Sequence, residues 1–324
     1  MQDLDTKYVN ELKELTNGIH SQTKSSSNHK SRYCDQDLYN VLICGGRDAI
    51  QRRAVKSVHQ IDGNSLKKSK VLTSMIKERT RFQSVCLNGE VYIFTGVNDS
   101  GYIRYVENYS PSSNKWRRLT KMFDHRIYFC ACEFVDKILL LGGYLNIEDY
   151  ATNSCLSFNP KTTTWKKVAE MKEPRTEAAC VVFQGNVVVS GGIHINRRQH
   201  VQLALNTVEC YDAVENRWSS MPSMMKSKFG HSLVVSGNKL FAIENLTSSF
   251  EVFDNALKKF VLLKCPLTIP PVHQVVSMGN KIVMFSYGRP LMICYDVCEN
   301  YWSKIPLVLT KNLSGFSCVT VPWF

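Results

Sequence analysis

The chain has 324 residues, of which 44% are hydrophobic, and its 40 Lys/Arg against 28 Asp/Glu give a formal net charge of +12. That apolar fraction can bury a core, which excludes a chain that is disordered throughout. No stretch approaches the about eighteen apolar residues of a membrane-spanning helix, so no membrane contact is expected.

In chain order, Met1–Asn10 is polar and mixed in charge, without the apolar run of a secretory signal. A cytoplasmic protein is therefore expected. Tyr8, Val9, Leu12 and Leu15 are spaced for a short amphipathic helix over residues 5–17. The Ser-rich HSQTKSSSNHKSR at 20–32 reads as a flexible linker. Residues 1–39 thus form a helix and linker, and residues 40–324 a separate folded domain. The first segment holds five Lys/Arg and six Asp/Glu, so the excess base lies beyond it. There it is spread in short groups, which argues against nucleic acid as a partner.

From residue 40 onward a unit near fifty residues recurs. An apolar strand ends in small residues at VLICGG (41–46), VYIFTG (91–96), ILLLGG (138–143) and VVVSGG (187–192). An aromatic and a turn-former follow: Tyr109-Ser110-Pro111, Phe158-Asn159-Pro160, Tyr211-Asp212, Phe253-Asp254 and Tyr295-Asp296. Then comes a large aromatic, Trp116, Trp165, Trp218, Phe260 and Trp302, at successive separations of 49, 53, 42 and 42. Before each apolar strand lies an alternating segment closed by a tight turn, as in SVCLNGEV (84–91), CVVFQGNV (180–187) and VVSMGNKI (275–282). Asn-Gly and Gly-Asn between apolar runs are hairpin signals. Each unit therefore reads as four short antiparallel strands.

The twelve cysteines form no CxxC pair, so zinc-ligand spacing is missing. Cys86, Cys132, Cys180 and Cys318 fall within apolar runs and read as small buried hydrophobes.

Ordered copies of a double Gly, a Tyr and a Trp resemble the Kelch repeat, over residues 40–324. The resemblance implies an all-β, six-bladed Kelch β-propeller with four antiparallel strands per blade. It is similar to the propeller of kelch-like adaptors, with no room here for their BTB and BACK domains. The double Gly lets backbones crowd, and the late Trp fills the gap between blades. Blades two to six fall at about 79–122, 126–171, 175–224, 228–265 and 270–306. Residues 40–75 lack a first strand, and GFSCVTV (315–321) is a strand without a blade, so the C-terminal strand is expected to close blade one. Blade five has Glu244-Asn245, and blade six Ser286-Tyr287, where the double Gly should stand.

No Gly-rich phosphate loop, HExxH or GxSxG is present, so no enzyme and no cofactor is expected. His194 and His200 share one loop without a carboxylate or thiolate, which favours solvation over a metal. Lys and Arg beside the late aromatics read as protection of the outer strands against edge pairing. A second basic set is Arg79, Arg126 and Arg175, each ten residues before a hairpin turn, with Ser227 at the matching position in blade five between Lys226 and Lys228. In kelch-like propellers these positions belong to the loops between blades, at one mouth of the channel. A ring of guanidinium groups there suits an acidic peptide, because Arg pairs with carboxylates in bidentate fashion. The loops after the second strands add Arg47, Asn98, Tyr102, Tyr144, Asn146, His194, Arg197, Tyr287 and Arg289 as candidate contacts.

By resemblance the chain is expected to be a protein-binding module, the substrate-recognition part of an adaptor for a cullin ubiquitin ligase that also involves a BTB protein. The alternative is an actin-binding or cytoskeletal scaffold, for which the basic propeller suits an acidic filament. A Kelch-propeller enzyme is the third reading.

Overall fold

A four-stranded antiparallel sheet carries apolar side chains on both faces, so it is stable only when neighbours cover both. In the computed structural model, six such sheets cover one another. The structure describes residues 39–322 apart from 125, 146–149, 197–199, 246–248, 266, 268, 287–288, 308 and 310–312. The helix and linker expected within residues 1–39 lie outside the described residues except at Tyr39. No helix among the described residues is long and apolar enough to cross a membrane.

Blade two runs Gln83–Leu87, Glu90–Phe94, Tyr105–Ser110 and Lys115–Lys121. Blade three runs Cys130–Phe134, Lys137–Leu141, Cys155–Asn159 and Thr164–Val168. Blade four runs Ala179–Phe183, Asn186–Ser190, Val208–Asp212 and Arg217–Met221. Blade five runs Ser232–Ser236, Lys239–Ile243, Phe250–Asp254 and Lys259–Leu263. Blade six runs Val272–Met278, Lys281–Ser286, Leu291–Asp296 and Tyr301–Pro306. Blade one takes Tyr39–Cys44, Val58–Ile61 and Ser69–Leu72 from the start of the described chain and Ser317–Pro322 from its end. The closing strand pairs antiparallel with the first, Ile43 opposite Cys318. The six innermost strands neighbour one another in a closed ring, with Ser317–Pro322 lying between blades six and two.

Six apolar clusters fill the six blade interfaces. The late aromatics serve these interfaces. Trp116 packs with Val58 and Leu72 of blade one, and Trp218 with Leu139 and Cys155 of blade three. Their indole N–H groups also donate backward, Trp116 to the carbonyl of Thr73 at 2.8 Å and Trp218 to that of Ala169 at 2.9 Å. Between the aromatics of blades two, four and six sits an Asn with positive φ: Asn114, Asn216 and Asn300. Its side-chain oxygen accepts the hydroxyl of Tyr109, Tyr211 or Tyr295. Blade one has no aromatic here, and Ile61 takes the place opposite Val41.

The double glycine has a steric cause. A Cβ on Gly142 or Gly191 would overlap the backbone carbonyl of Arg175 or Lys228, and both glycines have positive φ. Blades five and six keep four strands without the pair. Gly191→Ala is expected to lower stability by about 2–4 kcal/mol, through backbone strain and displacement of Lys228. Urea denaturation measures this, with Gly185→Ala, where nothing lies near a Cβ, as the control for φ alone.

Candidate functional site

In an antiparallel four-stranded blade, the loop after the second strand and the linker after the fourth leave by the same end. One face of the propeller therefore gathers all these segments, and they pair with one another. Thr80 bridges Val97, Arg126–Ile127 pairs with Tyr144–Leu145, Thr176 bridges Ile193, and Arg47–Asp48 pairs with Leu313–Ser314. The loop at 193–206 begins as a hairpin of Ile193–Asn196 with Val201–Ala204, edging a five-stranded sheet laid over blades three and four.

The expected ring of free cations is not what the linkers present. Arg79, Arg126, Arg175 and Lys228 are each at most 1% exposed. Their backbones bind the preceding blade: the amides of Gly46, Gly143 and Gly192 donate to the carbonyls of Arg79, Arg175 and Lys228. Their side chains enter the following blade. Arg79 pairs with Glu107 and donates to the carbonyl of Thr95. Arg175 pairs with Glu209 at 2.6 Å and donates to the carbonyl of Gly191 at 2.7 Å. Lys228 lies 2.7 Å from the Glu251 carboxylate. Arg126 has Leu156 where the others have Glu, and it grips Asp124 through both Nε and a terminal nitrogen. The same carboxylates accept linker amides, Ile76 on Glu107, Lys172 on Glu209 and Met225 on Glu251. Burial pushes the Glu107 carboxyl up and the Arg79 guanidinium down, and each ion opposes the other's shift. These four cations therefore hold blades together and are not open to a partner. Lys228, not Ser227, occupies the matching position, because the blade-five turn is Gly237-Asn238 and shifts the count by one.

Of the loop candidates, Arg47, Tyr102 and Arg289 are exposed, and Asn98 and His194 are half-buried. Asn98 is engaged with Glu78. Tyr144 is buried opposite Ile127, so it is a support for the face and not a contact on it. Asn146, Arg197 and Tyr287 lie outside the described residues.

Two features were missed in the sequence. The first is the blade-one hairpin over 47–56, where Arg47, Arg52, Arg53 and Lys56 are all exposed and Ile50 projects, 86% exposed. Buried Asp48 builds it, accepting the amides of Ile50 and Gln51. The second lies two residues after each buried cation, where the inner strands begin. Arg81, Tyr128 and Glu177 stand there with φ of 55°, 55° and 53°, and Gly230 and Gly315 occupy the equivalent places in blades five and one. Left-handed φ costs a non-glycine residue roughly 1–2 kcal/mol. Backbone bonds join these positions into a girdle: Glu177 donates to Tyr128 at 2.7 Å, and Gly230 to Glu177 at 2.9 Å. The Arg81 guanidinium lies 5.7 Å from the Tyr128 ring centre. Burial pushes the Glu177 carboxyl up, opposed by Arg81. The spacing from the cations marked these positions, but nothing local in the sequence reads as left-handed backbone at Arg, Tyr or Glu.

Inside the face, His231 is buried against Ser190, 2.8 Å from its hydroxyl. Burial, and then Lys228 and Arg175, push its pKa down to about 3. Among the described residues no group of three His, Cys, Asp or Glu is arranged to hold a metal.

A family model described as the KLHDC2/KLHL20/DRC7 Kelch-repeats domain matches residues 26–243. The chain is 26% identical over 196 residues to Kelch-like protein 26 of Danio rerio, covering 56% of this chain and 31% of that protein. It is 28% identical over 233 residues to an F-box/kelch-repeat protein of Arabidopsis thaliana, covering 63% and 59% respectively. It is 24% identical over 240 residues to alpha-scruin of Limulus polyphemus, covering 71% and 22%. The chain thus spans only part of the length of each of these relatives.

Lys228→Met is expected to cost about 3–5 kcal/mol, because it strands the Glu251 charge in the interior, and Lys228→Met with Glu251→Leu to recover most of that. Chemical denaturation of the three proteins checks it. His231 stays neutral in the fold while an unfolded histidine protonates near pH 6.5, so its contribution is full above that pH and is lost as pH falls toward about 3. Across that window the wild type is expected to lose up to about 1.4 kcal/mol per pH unit more than His231→Gln, read from denaturation midpoints at stepped pH.

Proposed function

Because the chain belongs to the Kelch-repeat propeller family, we propose that it is a protein-binding module that uses its loop face to hold a segment of a target protein. The observation that carries this reading is the exposed hairpin of blade one. Four basic side chains surround one projecting apolar residue on a backbone fixed by a buried aspartate. Such an arrangement has no role in closing the propeller, and it suits a segment with acidic and apolar side chains. Arg forks pair with carboxylates, while Ile50 and the 47%-exposed Tyr102 offer apolar contact. The chemistry is binding without catalysis, in the cytoplasm.

We further propose that the propeller recognises substrates for a cullin ubiquitin ligase, with a BTB protein as the link. The similarity to proteins named Kelch-like and F-box/kelch-repeat supports this. A cytoskeletal scaffold is the second reading, favoured by the net charge of +12 and by the similarity to alpha-scruin over 240 residues.

The test is affinity purification and mass spectrometry of the wild type beside an Arg47→Glu/Arg52→Glu/Arg53→Glu variant. A set of partners should disappear from the variant while its melting temperature stays unchanged. Partners identical in both would overturn the assignment of this hairpin. Absence of any cullin removes the ubiquitin part, and pelleting with actin filaments at physiological salt would favour the scaffold.

A further inference from the structure

The girdle at the start of the inner strands carries side chains that the fold does not need. Gly230 and Gly315 make the same left-handed turn with no side chain, in blades five and one. In blades two, three and four the place is taken by Arg81, Tyr128 and Glu177, residue types that this backbone conformation disfavours. Retention of bulky, functional side chains at strained positions points to use and not to packing.

Glu177 is the informative member. Other carboxylates in these linkers and their clamps are partnered: Glu107 by Arg79, Glu209 and Glu173 by Arg175, Glu251 by Lys228, and Asp124 by Arg126. Glu177 is half-buried, yet its carboxylate has no hydrogen bond and no ion pair among the described residues. It lies over Gly230, where a Cβ would meet its oxygen at 3.6 Å. A carboxylate withdrawn from water is costly without a donor, and the cheapest remedy is a cation brought by a ligand. Arg81 does not supply that cation. It acts on Glu177 only through its charge, and its guanidinium is turned to the Tyr128 ring while remaining exposed.

We propose that Arg81, Tyr128 and Glu177 form a subsite at the channel mouth that takes a lysine or arginine side chain of the bound segment on the Glu177 carboxylate, with an acidic neighbour of that residue facing Arg81. This rests on the reading of the loop face as a protein-binding surface. It makes recognition two-signed: the blade-one hairpin reads acidic groups, and the mouth reads a basic one among them.

The test is selection of a random 12-residue peptide library, displayed on phage, against the full chain. Enriched peptides should carry a Lys or Arg beside acidic residues. A selected peptide should bind Glu177→Gln at least about tenfold more weakly, and a version with that Lys or Arg changed to Ala should no longer distinguish the two proteins. Enrichment of purely acidic peptides, or binding indifferent to Glu177→Gln, overturns the subsite and leaves the loop-face reading intact. Failure of the library to enrich on the wild type, or enrichment unaffected by Arg47→Glu/Arg52→Glu/Arg53→Glu, overturns that reading itself. A second measurement separates use from structure. Glu177→Gly, Tyr128→Gly and Arg81→Gly should each leave the melting temperature unchanged or raised, and a fall of more than about 4 °C would make these side chains structural and overturn the proposal.

Discussion

The structure depends on a buried ion at each of several blade junctions. A propeller has little to hold adjacent sheets at a fixed angle except side-chain packing, which is adaptable, and the linker that crosses from one sheet to the next. Here that linker is bound at both ends. Its backbone sits against the glycines of the blade it leaves, and its Arg or Lys reaches a carboxylate of the blade it enters. The carboxylate in turn accepts an amide of the same linker. Breaking any one member leaves a desolvated charge, so the junction has one good arrangement and no near alternatives. Blade six has Ile293 at the carboxylate position, and the linker into blade one carries Leu313 where the cation would stand. At that junction the closing strand Ser317–Pro322 ties the ends by sheet pairing instead.

Rigid junctions matter for recognition because the loop face is made of the same segments. Each linker pairs with the loop of the blade it enters at four of the six junctions, and blades three and four share one sheet above their blades. Loops held this way lose little entropy on binding. Their charge is also sorted. The cations that hold the fold are neutralised in place, and the exposed excess gathers on the blade-one hairpin, whose buried Asp48 shapes the turn.

Much of this was legible in the sequence. The repeat of small-residue strand ends, aromatics and turns fixed the unit, and an orphan strand at 315–321 matched a blade lacking one. Even the register of Arg79, Arg126 and Arg175 was visible. Their depth was not, because a cation before a strand reads alike whether its partner is solvent or a carboxylate 28 or 34 residues onward. The clue was present in Glu107, Glu209 and Glu251, each two residues before the blade's aromatic. Only the pairing of one blade's strand with the previous blade's linker turns those two series into one. Tyr144 misled for a related reason: a Tyr after a double glycine looks like a loop tip, yet it stands in a strand pair against Ile127.

The contrast between the buried cations and the residues two positions later shows how one scaffold separates stability from selectivity. At the clamp, side-chain identity is constrained by a fixed counter-ion, so substitution there is paid in folding. At the girdle the backbone alone closes the turn, and glycine suffices in blades five and one. Whatever stands there is free to vary without moving the blades. A residue that is neither glycine nor asparagine at such a place adds strain, which six apolar interfaces can absorb. It persists where its side chain meets something outside the chain. Two residues of sequence thus divide a structural ring from a recognition ring, and the left-handed turn between them keeps a change in one from reaching the other.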